Sequence, residues 1–280
     1  MEWSHEIIRS RQNRSVVELC RLSDRKVREE RRLFRFDGVK LYEEACKNGV
    51  GIDTVVLREG SAETLRARLH ERLGRDAFEG EGRVILLSDE LFDKISEEKS
   101  PEGIITIAKY IDKFQKFATI YNSGDFLKAR EGQIVLLESV RDPSNVGAII
   151  RSAAAIGVDR LILSEDCADI YHPKAVRASM GAVFNQCIDR VPDLLQTVRA
   201  LQESGRRVFA AALSDDAVRL GDFPLLAGDC VVIGNEGHGL CEATVSACDR
   251  TVIIPMTDRA ESFNAAVAAS LLMWEFSKAK

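Results

Sequence analysis

Length, composition and charge exclude several classes of protein at the outset. The sequence has 280 residues, enough for one large domain or two of ordinary size. Hydrophobic residues make up 45% and charged residues 30%, which is typical of a globular protein and excludes a disordered chain. The formal net charge of −5 does not indicate nucleic-acid binding by the molecule as a whole.

The charge is unevenly distributed along the chain. Between Arg9 and Arg35 there are ten basic and four acidic residues, so this window carries +6 and the remainder of the chain −11. A local basic window on an acidic protein indicates either a polyanionic partner or a solvated helical surface.

Cysteine spacing and apolar runs favour a cytoplasmic protein. The seven cysteines include no C-x-x-C pair, which favours reduced thiols over a disulfide framework. Cys241, Cys248 and His238 do not make up a ligand set, so we expect no metal site. No signal peptide is recognised, and the longest apolar run is far shorter than the roughly 20 residues of a membrane span.

In the first half of the chain, helical and strand patterns alternate, which predicts a small α/β domain over residues 1–112. The predicted helices lie within 13–33, after Gly38, over 62–73 and after Ser88, and the predicted strands at 34–36, 52–57, 84–87 and 104–108. Residues 113–131 carry mixed signals and are interpreted as a linker.

Residues 132–280 are predicted to form a second α/β domain around a parallel sheet. The predicted strands lie at 134–137, 161–163, 208–212, 230–233 and 252–254. The predicted helices run to Ile156, near 173–180, over 193–204 and after Asn264. Because the strands are nearly continuous apolar runs, we expect them to be covered on both faces.

A first group of polar residues lies where the strand at 134–137 gives way to a helix, in the segment Asn145-Val146-Gly147-Ala148-Ile149-Ile150-Arg151. Asn145 is suited to cap that helix. Arg151 interrupts an otherwise apolar, small-residue helix, either as an ordinary exposed position or as a guanidinium that holds phosphate.

Two loops after later strands combine glycine with polar residues. The first, Gly234-Asn235-Glu236-Gly237-His238-Gly239-Leu240, allows a ligand to approach the main chain closely. Its order differs from the G-x-G-x-x-G fingerprint, which opposes a Rossmann-type nucleotide enzyme. The second, Ile254-Pro255-Met256, leads to Ser262-Phe263-Asn264, where Ser262 and Asn264 precede the last helix and are suited to cap it.

In order and spacing, these three groups resemble the three motifs of the SpoU (TrmH) family of RNA 2′-O-ribose methyltransferases, in the SPOUT superfamily. The segments Leu22–Arg28 and Phe34–Val39 resemble, more loosely, the substrate-binding domain of many members. The resemblance implies an α/β protein with a C-terminal parallel-sheet SPOUT domain, a deep trefoil knot and a smaller N-terminal substrate-binding domain. It also implies S-adenosyl-L-methionine as cofactor, no metal, and a homodimer that completes the active site across its interface.

The resemblance also implies roles for individual residues. The implied catalytic residues are Asn145, Arg151, Glu236, Ser262 and Asn264. The implied cofactor-binding residues are Leu213, Ser214, Gly234, Asn235, Gly237, Gly239, Leu240, Ile254, Pro255 and Met256. Within the basic window, we expect Arg25, Lys26, Arg28 and Arg35 to contact RNA. No role is implied for His238, and Phe263 stands where the family usually has leucine.

The implied reaction is methyl transfer from S-adenosylmethionine to a ribose 2′-hydroxyl of structured RNA, ribosomal RNA in preference to transfer RNA. Because a guanidinium does not readily deprotonate, we expect Arg151 to clamp the adjacent phosphate and stabilise developing alkoxide charge, with the other four residues orienting Arg151 and the ribose. The alternative is a catalytically inactive RNA-binding relative, which the presence of all five polar residues opposes.

Overall fold

A computed structural model of the chain describes residues 2–74, 78, 82–111, 132–214, 216–259 and 262–279. The chain divides into two compact units. The first comprises Met1–Ile111 and Tyr171–Phe184, and the second comprises Asp112–Ile170 and Asn185–Lys280. The predicted linker at 113–131 lies outside the described residues.

The first unit contains a five-stranded sheet among its described residues, with strand order β1-β4-β3-β5-β2. These strands are β1 (Glu2–Ile8), β2 (Leu33–Asp37), β3 (Ile52–Arg58), β4 (Arg83–Leu87) and β5 (Ile104–Lys109). The helices between them are α1 (Arg14–Arg21), α2 (Arg25–Arg31), α3 (Val39–Lys47), α4 (Ala62–Leu73) and α5 (Asp89–Ile95). β4 pairs in parallel with β1 and β3, whereas β5 is antiparallel to β2 and β3. The predicted α/β alternation is confirmed, and β1 is an addition to it.

The second unit contains a seven-stranded sheet in the described part of the chain, and all of its pairings are parallel. Its strands are β6 (Ile134–Leu137), β7 (Arg160–Ser164), β8 (Ile188–Val191), β9 (Val208–Ala211), β10 (Val218–Arg219), β11 (Cys230–Ile233) and β12 (Arg250–Ile253), in the order β10-β12-β9-β11-β6-β7-β8. The predicted parallel sheet is confirmed, and the short strands β8 and β10 were not predicted. The strand order does not trace the threading of loops, so the trefoil knot stays a prediction.

Helices on both faces explain the continuous apolar strands of the second unit. The described helices of this unit are α6 (Pro143–Ile156), α8 (Leu194–Glu203), α9 (Glu242–Ala247) and α10 (Ala265–Phe276), whereas α7 (Pro173–Ser179) belongs to the first unit. Val208 and Ala210 of β9 belong to a core cluster with Val198 of α8. Phe209, between them, makes an edge-to-face contact with Phe276 of α10 at 5.5 Å between ring centroids. Because side chains alternate along a strand, α8 and α10 cover opposite faces of the sheet.

The cap of α6 lies three residues before the predicted one, although the helix itself covers the predicted range. The side chain of Asp142 accepts a hydrogen bond from the backbone N–H of Ser144 at 2.7 Å and caps the helix. The predicted cap, Asn145, lies inside the first turn, which leaves its amide available for other contacts. Gly157 ends the helix in the left-handed region, with φ of 91°, as its position in the sequence predicted.

Of the two residues expected to cap α10, Asn264 forms the cap. It accepts hydrogen bonds through Oδ1 from the backbone N–H groups of Ala266 at 2.9 Å and Val267 at 3.3 Å. Ser262, the other candidate, lies two residues too early to reach the unpaired N–H groups of the first turn. Asn264 therefore holds the position from which the last helix starts.

The segment Tyr171–Phe184, with α7, packs in the first unit although its place in the sequence falls within the predicted second domain. The reason is aromatic packing: the Tyr171 ring lies 4.7 Å from that of Phe34 and stacks on that of Tyr110 at 4.0 Å between centroids.

In the described part of the chain, no helix combines the length and apolar character needed to cross a bilayer.

Candidate functional site

Three polar side chains from distant parts of the sequence meet in the second unit. The Nδ2 atom of Asn264 donates to Oδ1 of Asn145 at 3.0 Å. The Nδ2 atom of Asn145 donates in turn to Oε1 of Glu236 at 2.7 Å. We call this series of hydrogen bonds the polar chain; it joins three of the five residues predicted to be catalytic.

The direction of the polar chain follows from the helix cap. Because Oδ1 of Asn264 is committed to the N–H groups that open α10, only its amide nitrogen is left to face Asn145. That donor orients the Asn145 amide, whose own nitrogen then points to Glu236. Glu236 is exposed, and no described residue donates to its second carboxylate oxygen. The polar chain therefore ends in an oriented carboxylate oxygen of Glu236, which is open to a hydroxyl group.

The glycine loop after β11 is closed by its own hydrogen bonds. The backbone N–H of Asn235 donates to the carbonyl of Gly239, and that of Gly239 donates back, both at 3.0 Å. A Cβ atom on Gly234 would lie 2.4 Å from the carbonyl carbon of Gly239, and Gly239 itself has φ of 68°. These two glycines are thus required by closure of the loop, whereas the sequence suggested that they admit a ligand.

An apolar pocket of about 160 Å³ lies at the carboxyl ends of β9 and β12. Leu213, Ile254 and Met256 line it, together with Ser262 and Phe263. Leu213 is 74% exposed, Phe263 41% and Met256 37%, so large apolar side chains surround its mouth. Exposed apolar clusters of this kind mark a binding site.

The pocket fits the adenosyl part of S-adenosylmethionine. Its apolar walls suit the faces of a purine, and the lining residues Leu213, Ile254 and Met256 lie outside helices and strands. Three of the ten predicted cofactor-binding residues line the pocket. The others lie outside its lining, and cofactor contact stays a prediction for them: Ser214, Gly234, Asn235, Gly237, Gly239, Leu240 and Pro255.

Arg151 is separate from the polar chain. It lies six positions after Asn145 on α6, about 120° around the helix, and its side chain is exposed. No described residue makes a hydrogen bond or ion pair with its guanidinium group. Its five N–H donors are accordingly available to a ligand.

Two of the arginines predicted to contact RNA are buried, and that prediction is wrong for them. Arg28 is 1% exposed and donates to the carbonyl oxygens of Leu22 and Ser23 at 2.8 Å each. Arg35 is 2% exposed and pairs with Asp37 at 2.9 Å. A guanidinium that satisfies internal acceptors can brace a turn without reaching solvent, and a count of charges does not reveal this.

The other two predicted RNA contacts lie on the surface of the first unit. Arg25 and Lys26 begin α2 and are exposed. Arg25 forms an exposed ion pair with Glu29 at 2.7 Å, which contributes little to stability and can exchange for another anion. Among the described residues, none forms an ion pair with the Lys26 ammonium group.

Sequence reasoning missed a second cluster, beside the glycine loop. Ser139 has a left-handed φ of 55°, and its hydroxyl donates to Asp166 at 2.5 Å. Burial raises the pKa of Asp166, but hydrogen bonds from Ser139 and Ser164 outweigh it and hold the pKa below its ordinary value. These contacts join loops far apart in sequence, so no local pattern signals them.

Comparison with known proteins assigns the chain to a family. The profile of the SpoU rRNA Methylase family matches residues 132–274, more than half of the chain. The chain belongs to this family. A second profile, the MRM3-like substrate binding domain, matches residues 13–106. The family and the SPOUT fold expected from the three motifs are confirmed.

Individual relatives span either the whole chain or half of it. The chain is 28% identical over 267 residues to the 23S rRNA (guanosine(2553)-2′-O)-methyltransferase RlmP of Bacillus subtilis, covering 95% of this chain and 97% of the relative. It is 37% identical over 145 residues to a 23S rRNA (uridine(2479)-2′-O)-methyltransferase of Streptomyces viridochromogenes, covering 50% of each. The AdoMet-bound rRNA methyltransferase from Sinorhizobium meliloti superposes with a TM-score of 0.78 at 26% identity, covering 98% of this chain and 97% of that one.

The geometry of the glycine loop predicts that Gly234→Ala is damaging. Its methyl group would press on the backbone at Gly239, so the variant should lose about 1–3 kcal/mol of unfolding free energy in urea denaturation. Gly237→Ala is the matched control, because its nearest neighbour is the Asn235 side chain at an ordinary 3.6 Å. Equal losses in the two variants would contradict this account of the loop.

Proposed function

We propose that this protein transfers the methyl group of S-adenosylmethionine to a ribose 2′-hydroxyl of ribosomal RNA. One observation carries the proposal: the polar chain begins where the pocket ends. Ser262 and Phe263 line the apolar pocket, and the next residue, Asn264, opens the series that runs to Glu236. Membership of the SpoU family and whole-length similarity to RlmP support the same reaction and substrate class.

In the proposed mechanism, Leu213, Met256 and Phe263 hold the adenosyl group by burying its apolar faces. The bound cofactor supplies an electrophilic methyl group on a sulfonium. The free oxygen of Glu236 accepts a hydrogen bond from the ribose hydroxyl and so orients the 2′-oxygen. Because a neutral hydroxyl is a weak nucleophile, its proton must leave as the new bond forms, and we assign phosphate or solvent as the acceptor.

Arg151 serves in this mechanism as a phosphate clamp. Its guanidinium group has no competing carboxylate among the described residues, and its planar donors match a phosphate group. Positive charge there also stabilises the alkoxide character that develops on the 2′-oxygen. Asn145, Ser262 and Asn264 act as orienting groups for the ribose, and Asn264 and Asn145 do so through the polar chain that ends at Glu236.

The direct test is in-vitro methylation of total RNA from a strain that lacks the protein, followed by mapping of the ribose-methylated position. We expect incorporation into ribosomal RNA, together with binding of S-adenosylmethionine in calorimetry. Binding without incorporation into any RNA would sink the proposed reaction and favour the inactive alternative. Incorporation into transfer RNA alone would refute the substrate assignment.

The clamp predicts a strong effect of Arg151→Lys. Lysine keeps the charge but loses the planar pair of donors, so kcat should fall by about 100-fold while the affinity for S-adenosylmethionine is kept. Arg199→Lys, at an exposed position of α8, is the control and should behave as wild type. Near-normal turnover of Arg151→Lys would argue against the clamp.

A homodimer is part of the proposal, and α10 offers the surface for it. Val267, Leu271 and Trp274 are 47%, 39% and 58% exposed and lie on one side of the helix. α10 also packs on α6, where the hydroxyl groups of Ser270 and Ser152 lie 2.8 Å apart, and the side opposite the stripe carries the buried Ala269, Leu272 and Phe276. An apolar stripe on a helix that is otherwise packed suits a second copy of the chain.

A charge in the centre of that stripe is expected to separate the subunits. Leu271→Glu should convert a dimer to a monomer in multi-angle light scattering, because association would bury an unpaired carboxylate. Gln196→Glu adds the same charge on the exposed side of α8 and should leave the dimer intact. A dimer in both variants would rule out this stripe as the interface.

For the first unit, we propose that the surface at the start of α2 contacts the RNA backbone. Arg25 and Lys26 remain from the predicted set because they are exposed. With ribosomal RNA as the substrate, we also propose a cytoplasmic location for the protein. Binding through phosphate contacts weakens steeply with salt.

Replacing both residues, in Arg25→Ala/Lys26→Ala, should therefore reduce the slope of log affinity against log salt by about 2. Lys40→Ala, at an exposed position of α3 in the same unit, is the matched control. The assignment fails if filter binding gives the same slope for the double variant and for wild type.

A further inference from the structure

The polar groups of Asn235 are all engaged within the protein, which favours a structural role over the cofactor contact predicted for this residue. Its Oδ1 accepts from the N–H groups of Gly237 at 2.8 Å and His238 at 3.1 Å. Its Nδ2 donates to the carbonyl oxygen of Ser139 at 2.7 Å. With its backbone paired to Gly239, Asn235 both braces the glycine loop and ties it to the segment after β6.

Ser139 is a firm anchor for that tie. Its N–H donates to Ser164 at 2.9 Å and its hydroxyl donates to Asp166, while its carbonyl accepts from Asn235. A non-glycine residue in the left-handed region is held there only when its surroundings determine it. The partners after β7 thus set the direction in which the Ser139 carbonyl points.

The residue before Ser139, Glu138, holds the carboxyl-terminal end of the glycine loop, at Cys241. One carboxylate oxygen accepts from the backbone N–H of Cys241 at 2.8 Å, and the other accepts from the Thr244 hydroxyl at 2.5 Å. Glu138 is 9% exposed, so these bonds lie in a protected environment. Residues 138 and 139 therefore anchor the loop on both sides of Glu236.

The same segment that anchors the loop continues into α6 and carries Asn145, the partner of Glu236. We propose that Asn235 is a positioning residue that acts through the Ser139 carbonyl to hold Glu236 against Asn145. Glu138 and Ser139 are the fixed side of this arrangement, which we call the loop clamp. Its effect on catalysis rests on the function proposed above, whereas the loop clamp itself concerns only the position of the glycine loop.

Asn235→Asp isolates the tie to Ser139. Aspartate keeps the acceptor for the two loop N–H groups, but it puts an oxygen in place of the donor that faces the carbonyl. We expect kcat to fall by about 10-fold while calorimetric affinity for S-adenosylhomocysteine changes by less than about 2-fold. Amide hydrogen exchange over residues 234–240 should accelerate.

The decisive readout is the double variant with Glu236→Gln. If Asn235 acts through Glu236, Asn235→Asp should lower kcat by less than about 2-fold once Glu236 is already replaced. Losses that multiply in the double variant would refute the positioning role, as would an unchanged kcat in Asn235→Asp alone.

Gln202→Glu provides the matched control. Gln202 is another amide that joins two segments of the second unit, since its Nε2 donates to the carbonyl of Ala247 at 2.9 Å and to the Asp249 carboxylate at 3.1 Å. Its replacement removes a donor in the same way, so a comparable drop in melting temperature with unchanged kcat is expected. An equal loss of kcat in this variant would mean that Asn235 matters only for stability.

Hydrogen exchange separates failure of the loop clamp from failure of the proposed function. If wild-type protein methylates no RNA, the reaction is wrong, yet faster exchange over 234–240 in Asn235→Asp would still support the loop clamp. Unchanged exchange there would overturn the loop clamp whether or not the enzyme is active.

Discussion

One side-chain amide, that of Asn264, links the architecture of the second unit to its chemistry. Its oxygen is committed to the free N–H groups at the start of α10, so its nitrogen faces Asn145. Had a serine capped this helix, the cap would be kept but the direction of the next hydrogen bond would not, because a hydroxyl rotates. The start of α10 therefore determines the orientation of Glu236, through the side-chain amides of Asn264 and Asn145.

The covered parallel sheet determines where such a site can lie. With α8 on one face and α10 on the other, neither face is open to a ligand, and the loops after the strands are left for binding. The pocket lies at the ends of β9 and β12, and the glycine loop follows β11 between β9 and β6 in the sheet. Strand order thus gathers residues that are remote in sequence.

Much of this fold could be predicted from periodicity and end signals. The apolar runs predicted the parallel strands, and the helices predicted over 62–73 and to Ile156 end there, each followed by a glycine in the left-handed region. The caps were less predictable, because Asp142 and Asn145, or Ser262 and Asn264, are equally suitable chemically and differ only in register. Local sequence patterns do not indicate which of the two residues caps the helix.

Features that depend on long-range packing were beyond the sequence. Arg28 and Arg35 look like any surface arginine until their internal acceptors are known. The segment around Tyr171 packs in the first unit through ring contacts with Phe34 and Tyr110, which are remote from it in sequence. The anchors at Glu138 and Ser139 likewise depend on partners from later loops. In contrast, the motif residues were recognisable because their spacing recurs in a family.

The separation of Asn145 from Asn264 has a consequence for synthesis of the protein. The two residues lie 119 positions apart, so a ribosome adding 5–20 residues per second needs on the order of ten seconds to make the second after the first. During this interval, α6 lacks α10, the helix against which it packs in the finished unit. A partial chain therefore lacks the hydrogen bond between Asn264 and Asn145 and exposes the face of α6 that later packs on α10. Exposed apolar surface of this kind favours aggregation unless the ribosome or a chaperone covers it.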